Sequence, residues 1–234
     1  MVNSRTISKN SKRNKTIVKN RIIERFINVG IRSLSMGSRF FLIFALAKLL
    51  SPEELGRFGL MIATVSLSTL IVGADYYTYA QRELLARPVE QWSFVIQHQI
   101  KALMILYVVL LPVQFIFFMT RVLEWEFVIW FFVLLVLEHV SQEIYRLLIA
   151  MQKQILASFV LFIRTGSWIL LVIPLMFIYE EYRNLSTLYT WWSAGAALSI
   201  LIGVISIRRS LPIWINYSTN YRWLNKGFKV GGLF

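Results

Sequence analysis

Residues 102–120 read ALMILYVVLLPVQFIFFMT and contain no charged side chain. Residues 188–207, LYTWWSAGAALSILIGVISI, have the same character. A helix needs roughly 20 apolar residues to cross about 30 Å of hydrocarbon, and both stretches match that length. Neither alternates as barrel strands do, and unpaired backbone groups are costly in lipid. Both stretches therefore predict membrane-spanning helices.

The composition of the whole chain supports the same interpretation. Apolar residue types make up 57% of the 234 residues, charged types only 16%, and the mean hydropathy is +0.60. So little polar surface could not cover a water-soluble globule. We therefore predict an all-α integral membrane protein.

Four more stretches have the length and character of a span, so six spans are expected. They lie at about 28–50, 58–80, 101–120, 127–149, 155–179 and 188–207. Residues 1–25 form a basic tail ahead of a six-span lobe over residues 26–207. Residues 208–234 form a loop and the start of a seventh span near Trp223.

Basic residues in the connections are divided unequally between the two sides of the expected membrane. One side receives eighteen: Arg5, Lys9, Lys12, Arg13, Lys15, Lys19, Arg21, Arg25, Arg82, Arg87, Lys101, Arg146, Lys153, Arg208, Arg209, Arg222, Lys226 and Lys229. The other side receives four: Lys48, Arg57, Arg121 and Arg183. Because basic loops stay in the cytoplasm, the amino terminus is predicted to be cytoplasmic.

The formal net charge of +13 raises the question of a nucleic-acid partner. The excess lies between the apolar segments and is not combined with an aromatic and basic module of the RNA-binding kind. We therefore expect no nucleic acid, and instead anionic lipid head groups as the counter-charge. The chain has no cysteine, which excludes disulfides and thiol chemistry.

Two features of the expected spans concern helix packing. Gly195, Ser199 and Gly203 recur every four residues and form a stripe that another helix can approach closely. Pro112 and Pro174 lie inside the third and fifth spans, where proline removes a backbone donor and can kink a helix.

Four ionisable residues fall near the middle of expected spans: Arg39, Glu138, His139 and Arg164. A charge at the bilayer centre costs about 2.5 to 3.5 kcal/mol, so we expect these side chains to face the bundle interior. Arginines in a water-filled cavity suit a phosphate or pyrophosphate, because guanidinium is always charged and offers forked donors. Glu138 either neutralises one arginine or takes part in coupling or substrate contact.

Polar residues of the fourth span share one face of the expected helix. Glu138, His139, Gln142, Glu143 and Arg146 fall within an arc of about 140° at 100° per residue. His139 and Glu143 have the spacing of two helical metal ligands, but no third ligand accompanies them. We therefore assign no metal and no cofactor.

Arg32 lies seven residues before Arg39 and so on nearly the same face of the first span. Asp75 is expected at about the depth of Arg32, where the two could pair. Arg32, Asp75 and Arg146 all lie close enough to the interface to snorkel or to cap a helix. A purely structural role therefore stays open for each of them.

The connection between the first two spans has a specific pattern. Residues 46–60 read LAKLLSPEELGRFGL. Ser51 can cap the second helix, Pro52 suits its first position, and Glu54 completes a capping box.

The same connection resembles that of the polysaccharide flippases in the multidrug/oligosaccharidyl-lipid/polysaccharide exporter superfamily. In that family an arginine-bearing first helix runs into a short turn of the pattern LSPEExGx[FY]G. A second helix follows and ends near a glycine and an acidic residue, here Gly73 and Asp75, with a basic residue, here Arg82, soon after. The resemblance extends over residues 28–87, with weaker support from the span pattern to residue 207.

The resemblance implies two six-helix lobes around a cavity that opens alternately to each side of the membrane. This chain would supply the amino-terminal lobe and the truncated first helix of the second lobe. The second lobe would follow in cis or come from a partner chain. The implied function is export of an undecaprenyl-diphosphate-linked oligosaccharide across the bacterial inner membrane, without breaking a bond, for polysaccharides such as the O-antigen of lipopolysaccharide.

The resemblance also assigns roles to the intramembrane charges. Arg39 and Arg164 would contact the diphosphate or acidic sugars, and Arg32 would capture the substrate from the cytoplasmic side. Charge balance or coupling to an ion gradient would fall to the remaining polar residues: Asp75, Glu138, His139, Glu143 and Arg146.

Two alternatives stay open beside the flippase. A membrane enzyme of polysaccharide assembly would need a catalytic constellation, and His139 is the only histidine in the expected spans. The other alternative is an inactive remnant, or a half-transporter that depends on a partner chain.

Overall fold

A computed structural model describes residues 4–211 and 217–230 of the chain, with side chains from residue 23 onward. The described residues form helices and no strand. Six helical stretches among them are long and apolar enough to cross a membrane: Ile23–Leu49, Pro52–Gly73, Val89–Met119, Trp125–Ala150, Gln154–Ile178 and Leu185–Arg208. The predicted all-α membrane-spanning bundle is therefore confirmed.

The α-helices are numbered in chain order. They are α1 (Ser4–Leu49), α2 (Pro52–Gly73), α3 (Tyr76–Leu85), α4 (Trp92–Val113), α5 (Ile116–Met119), α6 (Val128–Ala150), α7 (Gln154–Phe162), α8 (Trp168–Ile178), α9 (Leu185–Arg208) and α10 (Tyr221–Val230). A π-helical segment, Ile163–Ser167, joins α7 to α8 within the fifth span. Short 3₁₀ turns precede α4, α6 and α9: Val89–Gln91, Trp125–Phe127 and Glu180–Tyr182.

The start of α2 has the predicted capping box. The hydroxyl of Ser51 accepts a hydrogen bond from the N–H of Glu54 at 3.2 Å, and the Glu54 carboxylate accepts one from the N–H of Ser51 at 3.1 Å. Pro52 occupies the first helical position. These bonds satisfy backbone donors at the helix start and fix the short turn between α1 and α2.

The second span ends earlier than the sequence predicts. α2 stops at Gly73, and Ala74 and Asp75 adopt left-handed φ angles of 43° and 52°. Asp75 tolerates this region better than most residues and accepts a hydrogen bond from the Thr78 hydroxyl at 2.9 Å. The expected span over residues 58–80 is therefore wrong at its end, because an apolar count does not detect a change of backbone conformation. The helix end near Gly73 and Asp75 that the resemblance implies agrees with the structure.

The third span begins earlier than predicted, at Val89. The polar pair Gln97 and His98 weakens the apolar pattern there, but both side chains are buried and hydrogen-bonded. His98 thus lies near the start of the helical stretch Val89–Met119, at the end where Asn220 contacts it.

Buried apolar side chains form two clusters, one toward each end of the bundle. Along α6, Phe131 and Leu135 belong to the first cluster, and Ile144 and Leu148 belong to the second. His139 is buried between them. The packing therefore leaves a polar layer near the middle of the spans.

The stripe of small residues on α9 is confirmed as a packing surface. A Cβ atom added at Gly195 would lie 2.8 Å from Cδ1 of Trp168, and one added at Gly203 would overlap Ile144. Ser199 is fully buried between them. The absence of larger side chains lets α9 pack closely on α6 and α8.

α10 packs against α3 and α4. The start of a seventh span predicted near Trp223 falls in this helix, which is not among the helices long and apolar enough to cross a membrane. Residues 231–234 lie outside the described residues, so a span after α10 stays a prediction. Side chains of residues 1–22 also lie outside them, and the basic tail stays a prediction as well.

Candidate functional site

A cleft lies between α1 and α2. α1 packs on α7, the π segment and α8, whereas α2 packs on α4 and α6. The two helices therefore contact each other only sparingly, and the cavity between them has a volume of about 800 Å³. The π segment, α6, α8 and α9 contribute further side chains to its lining.

Three of the predicted intramembrane charges line this one cavity: Arg39, Glu138 and Arg164. The side chains of Glu138 and Arg164 are only 13% and 11% exposed. Arg39 is exposed at the open side of the cleft. The fold thus brings together residues from α1, α6 and the π segment that are far apart in the sequence.

The carboxylate of Glu138 is held from two sides. The indole N–H of Trp192 donates a hydrogen bond to Oε1 at 2.6 Å, and Nε of Arg164 lies 3.7 Å from Oε2. The second distance is too long for a hydrogen bond but short enough for an ion pair. Sequence reasoning missed Trp192, because a tryptophan in an apolar span carries no signal of its partner.

The guanidinium of Arg164 has donors that the described structure leaves unused. Its Nε and Nη1 atoms are buried, and no described atom accepts a hydrogen bond from them. The residue lies in the π segment, a helix form that is frequent at functional sites. Buried donors beside an open cavity suit a ligand that brings oxygen acceptors.

The lining of the cleft combines charge with apolar walls. Two arginines and one glutamate leave a formal charge of one positive unit, since Arg39 and Arg164 are balanced by Glu138 alone. The walls are largely apolar side chains of α1 and α2: Leu42, Ile43, Leu46, Leu55, Phe58, Ile62, Val65 and Leu70. The cleft can therefore accommodate an anion that also has an apolar part.

The polar residues of α6, which were predicted to share one face, lie in two different environments. Glu138 and Gln142 line the cleft. His139, Glu143 and Arg146 contact side chains outside it. One residue along a helix corresponds to a rotation of about 100°, which is enough to separate these two sets.

The second set forms a buried polar cluster between α4 and α6. The ring nitrogen Nδ1 of His139 lies 2.7 Å from the Tyr107 hydroxyl. Glu143 accepts hydrogen bonds from Gln99 at 2.7 Å and from Arg146 at 2.6 Å, and it lies 4.0 Å from Nε2 of His139. All of these side chains lie on α4 and α6, so the cluster links these two helices.

The predicted pair between Arg32 and Asp75 is not formed. Arg32 donates a hydrogen bond to the Tyr145 hydroxyl at 3.2 Å, and it is not among the residues that line the cleft. Asp75 lies beyond the end of α2, in the left-handed turn, where it accepts from Thr78. The prediction of this pair assumed that α2 continues through Asp75. Because α2 ends at Gly73, Asp75 does not have the helical position that the pair required.

Two other cavities lie outside the cleft. One, of about 280 Å³ between α4, α6 and α9, has Gln99, Glu143 and Arg208 among mainly apolar side chains. The other, of about 670 Å³, lies between α1 and the turn from α6 to α7, beside Arg25 and Asn28. Neither contains the three charged residues of the cleft.

A metal site is not formed by the described side chains. Across residues 23–211 and 217–230, no three His, Asp or Glu residues gather closely enough to hold an ion. His139 and Glu143 are adjacent, but Arg146 already occupies the facing carboxylate oxygen.

The fold and the cleft define a class: a multi-pass, all-α membrane protein with a cationic cavity inside the bundle. Comparisons with protein-family models, curated proteins and solved structures find no match to this chain.

Proposed function

We propose that this chain is the amino-terminal lobe of a flippase that exports an anionic lipid-linked oligosaccharide across the bacterial inner membrane for surface polysaccharide assembly. One observation carries the proposal. Arg39 and Arg164 face the same cleft, and Glu138 is the one carboxylate among the lining residues.

The chemistry of the cleft fits the head group of such a lipid. A diphosphate brings several oxygen acceptors and a negative charge, and forked guanidinium donors match both. Glu138 balances the charge of Arg164 as an ion pair. The buried Nε and Nη1 atoms of Arg164 nevertheless donate no hydrogen bond to any described atom. The ligand can therefore take these donors without first breaking a hydrogen bond.

The shape of the cleft fits an amphiphile. Apolar walls from α1 and α2 lie beside the charged groups, so one ligand can place acyl or prenyl chain on the walls and phosphate between the arginines. On the predicted orientation, Arg32 lies on the cytoplasmic side of Arg39 along α1, where it would assist capture. The exposed position of Arg39 leaves room for a second lobe, in cis or from a partner chain, to close the cleft.

Movement of a labelled lipid between the two leaflets of a vesicle membrane tests the proposal. The protein, with any sequence that its native gene encodes after Phe234, is reconstituted with a polyprenyl diphosphate that carries a fluorescent head group. A membrane-impermeant quencher then reports how much label has crossed. We expect Arg39→Ala to slow crossing at least tenfold, whereas Arg121→Ala, an exposed position outside the cleft, leaves it unchanged.

The conservative variant separates two kinds of recognition. Crossing that survives in Arg39→Lys indicates simple charge, and equal loss in both variants indicates forked recognition of the phosphate oxygens. Wild-type crossing in both variants and in Arg164→Lys contradicts the proposed site. Cleavage of the labelled lipid instead of its movement supports the enzyme alternative.

A further inference from the structure

A short segment after the sixth span is held against the start of the third span. The N–H of Tyr217 donates to Oε1 of Gln97 at 3.0 Å, and the N–H of Asn220 donates to Nε2 of His98 at 2.9 Å. The ammonium group of Lys101 donates to the carbonyl oxygen of Tyr217 at 2.8 Å. These bonds place the beginning of α10 beside α4.

Trp223 anchors α10 itself. Its indole N–H donates to Glu83 of α3 at 3.2 Å, and its ring lies 4.9 Å from that of Tyr79 between centroids. One turn further, Gly227 packs on the ring of Tyr76, where a Cβ atom would lie only 2.6 Å away. α10 is therefore a docked surface helix with one buried stripe.

The docking surface lies at one end of the bundle. α3 connects the second span to the third, and Gln81 of α3 donates to the carbonyl oxygen of Arg146 near the end of the fourth span. Lys153, in the turn after the fourth span, contacts Ser210 at the end of the sixth. α3 and α10 thus lie where the spans leave the hydrocarbon, at the depth of lipid head groups.

The exposed face of α10 is basic. Arg222, Lys226 and Lys229 are exposed and lie within about 60° of one another at 100° per residue. The buried stripe that contains Trp223 and Gly227 lies roughly 60° to 160° away around the helix. The basic side chains are therefore on a different, exposed face of α10.

Residues 208–234 supply no counter-charge for this face. Glu83 of α3, whose charge interacts with that of Lys226, is already paired with Arg87. Residues 208–234 contain five basic residues and no acidic residue. Arg82 on the neighbouring α3 is also exposed. Leu85 and Tyr221 are 63% and 77% exposed, so apolar and aromatic groups accompany the charges.

We infer that the exposed face of α10, together with Arg82, binds the phosphate head groups of anionic lipids and anchors this end of the bundle to the membrane surface. Basic side chains supply attraction to anionic lipid, and exposed Leu and Tyr side chains insert at the interface. Of the chain's many basic residues, Arg82, Arg222, Lys226 and Lys229 form this lipid-binding surface. It holds whether or not the cleft transports a lipid.

Lipid retention tests the anchor. The whole protein is purified in detergent, mixed with equal amounts of phosphatidylglycerol and phosphatidylcholine, and examined by native mass spectrometry. The test variant combines Arg222→Ser with Lys226→Ser. The matched control combines Arg121→Ser with Lys48→Ser, which removes one arginine and one lysine from exposed positions at the opposite ends of the spans.

We expect wild type and the control to retain phosphatidylglycerol in preference to phosphatidylcholine. The test variant should bind phosphatidylglycerol roughly 30-fold more weakly, because each removed basic residue contributes about fivefold near an anionic surface. Equal retention in all three proteins overturns the inference. Equal loss in both variants also overturns it, because net charge and not α10 would then explain the binding. A wild-type protein without a preference for phosphatidylglycerol overturns it as well.

Thermal unfolding of the three proteins in lipid-free detergent serves as a fold check. Arg222 and Lys226 lie on the exposed face, so the unfolding temperature should stay within a few degrees of wild type. If the test variant unfolds early, Lys229→Ser alone repeats the lipid measurement, with about a fivefold loss expected.

Discussion

The indole N–H of Trp192 donates a 2.6 Å hydrogen bond to Glu138, and the other oxygen of that carboxylate lies 3.7 Å from Nε of Arg164. α9, α6 and the π segment of the fifth span meet through these two contacts. The charge pair that lines the cleft is therefore also part of the helix packing.

Replacing Trp192 by Phe should destabilise the bundle. The change keeps an aromatic ring but removes the hydrogen bond to a charged acceptor, which typically contributes about 1.5 to 3 kcal/mol. Unfolding in detergent micelles measures the loss. Trp191→Phe is the control, because Trp191 is only partly buried, and equal losses in the two variants would contradict the role given to the Trp192 N–H.

Replacing Glu138 by Gln should leave Arg164 buried without a counter-charge. Breaking one side of a buried ion pair costs about 3 kcal/mol or more of the free energy of unfolding. Adding Arg164→Gln should recover part of that loss, since no uncompensated charge then remains. Strictly additive losses in the double variant would contradict an interaction between the two residues.

A surface ion pair provides the control for that experiment. Glu180 lies 2.8 Å from Arg183, but the Glu180 side chain is 83% exposed. Exposed pairs contribute at most about 1 kcal/mol, so Glu180→Gln should change stability far less than Glu138→Gln.

Two glycines should respond oppositely to the same substitution. Gly203→Ala places a methyl group against Ile144 and should cost about 1 to 3 kcal/mol of stability. Gly37→Ala places it in open space within α1 and should stabilise the helix by up to about 1 kcal/mol. Thermal unfolding of both variants measures the difference, and a loss at Gly37 equal to that at Gly203 would show that packing is not the cause.

The anchor of α10 should be sensitive to acid. Burial alone would raise the pKa of Glu83, but hydrogen bonds from Arg87 and Trp223 and the charges of Arg87 and Lys226 outweigh it, so the pKa lies below its ordinary value. A carboxyl with a lowered pKa in the folded state stabilises the fold above the ordinary glutamate value of about 4.3. That contribution is lost as the pH falls through the lower folded value.

Glu83→Gln should therefore remove part of the acid sensitivity. Thermal unfolding of wild type and variant is compared between about pH 7 and pH 3. The difference between the two should be largest near neutral pH and should shrink as the pH falls below the glutamate range. Glu90→Gln, at an exposed position in the turn that starts the third span, serves as the control, and a constant difference at every pH would contradict the assignment.

Hydrophobic length was sufficient to predict the six spans. The residue types around Ser51 predicted the capping box, and the four-residue spacing of small residues predicted the packing stripe at Gly203. These features depend on local sequence and on the thickness of the hydrocarbon. The break at Ala74 was not predictable in this way, because neither left-handed residue is a glycine and the apolar pattern continues past it. The boundary of the second span was wrong for that reason.

The candidate site was predictable only in part. The free-energy cost of a charge in hydrocarbon predicted that Arg39, Glu138, His139 and Arg164 face the bundle interior. Glu138 and Arg164 are largely buried in the cleft, His139 is buried outside it, and Arg39 is exposed at its open side. This cost could not identify Trp192 or Tyr107 as partners, because a partner depends on which helix faces meet. Helical periodicity likewise predicted that the polar residues of α6 share one face. In the structure, Glu138 and Gln142 line the cleft, whereas the other three contact side chains outside it.

The π segment has a consequence for the length of the fifth span. It amounts to one residue more than a regular helix would use, and each residue turns an α-helix by about 100°. Arg164 lies within this wider turn and Trp168 directly after it. Deleting one residue between them should leave the hydropathy of the span almost unchanged and yet change the direction of Arg164 relative to Trp168 by up to about 100°.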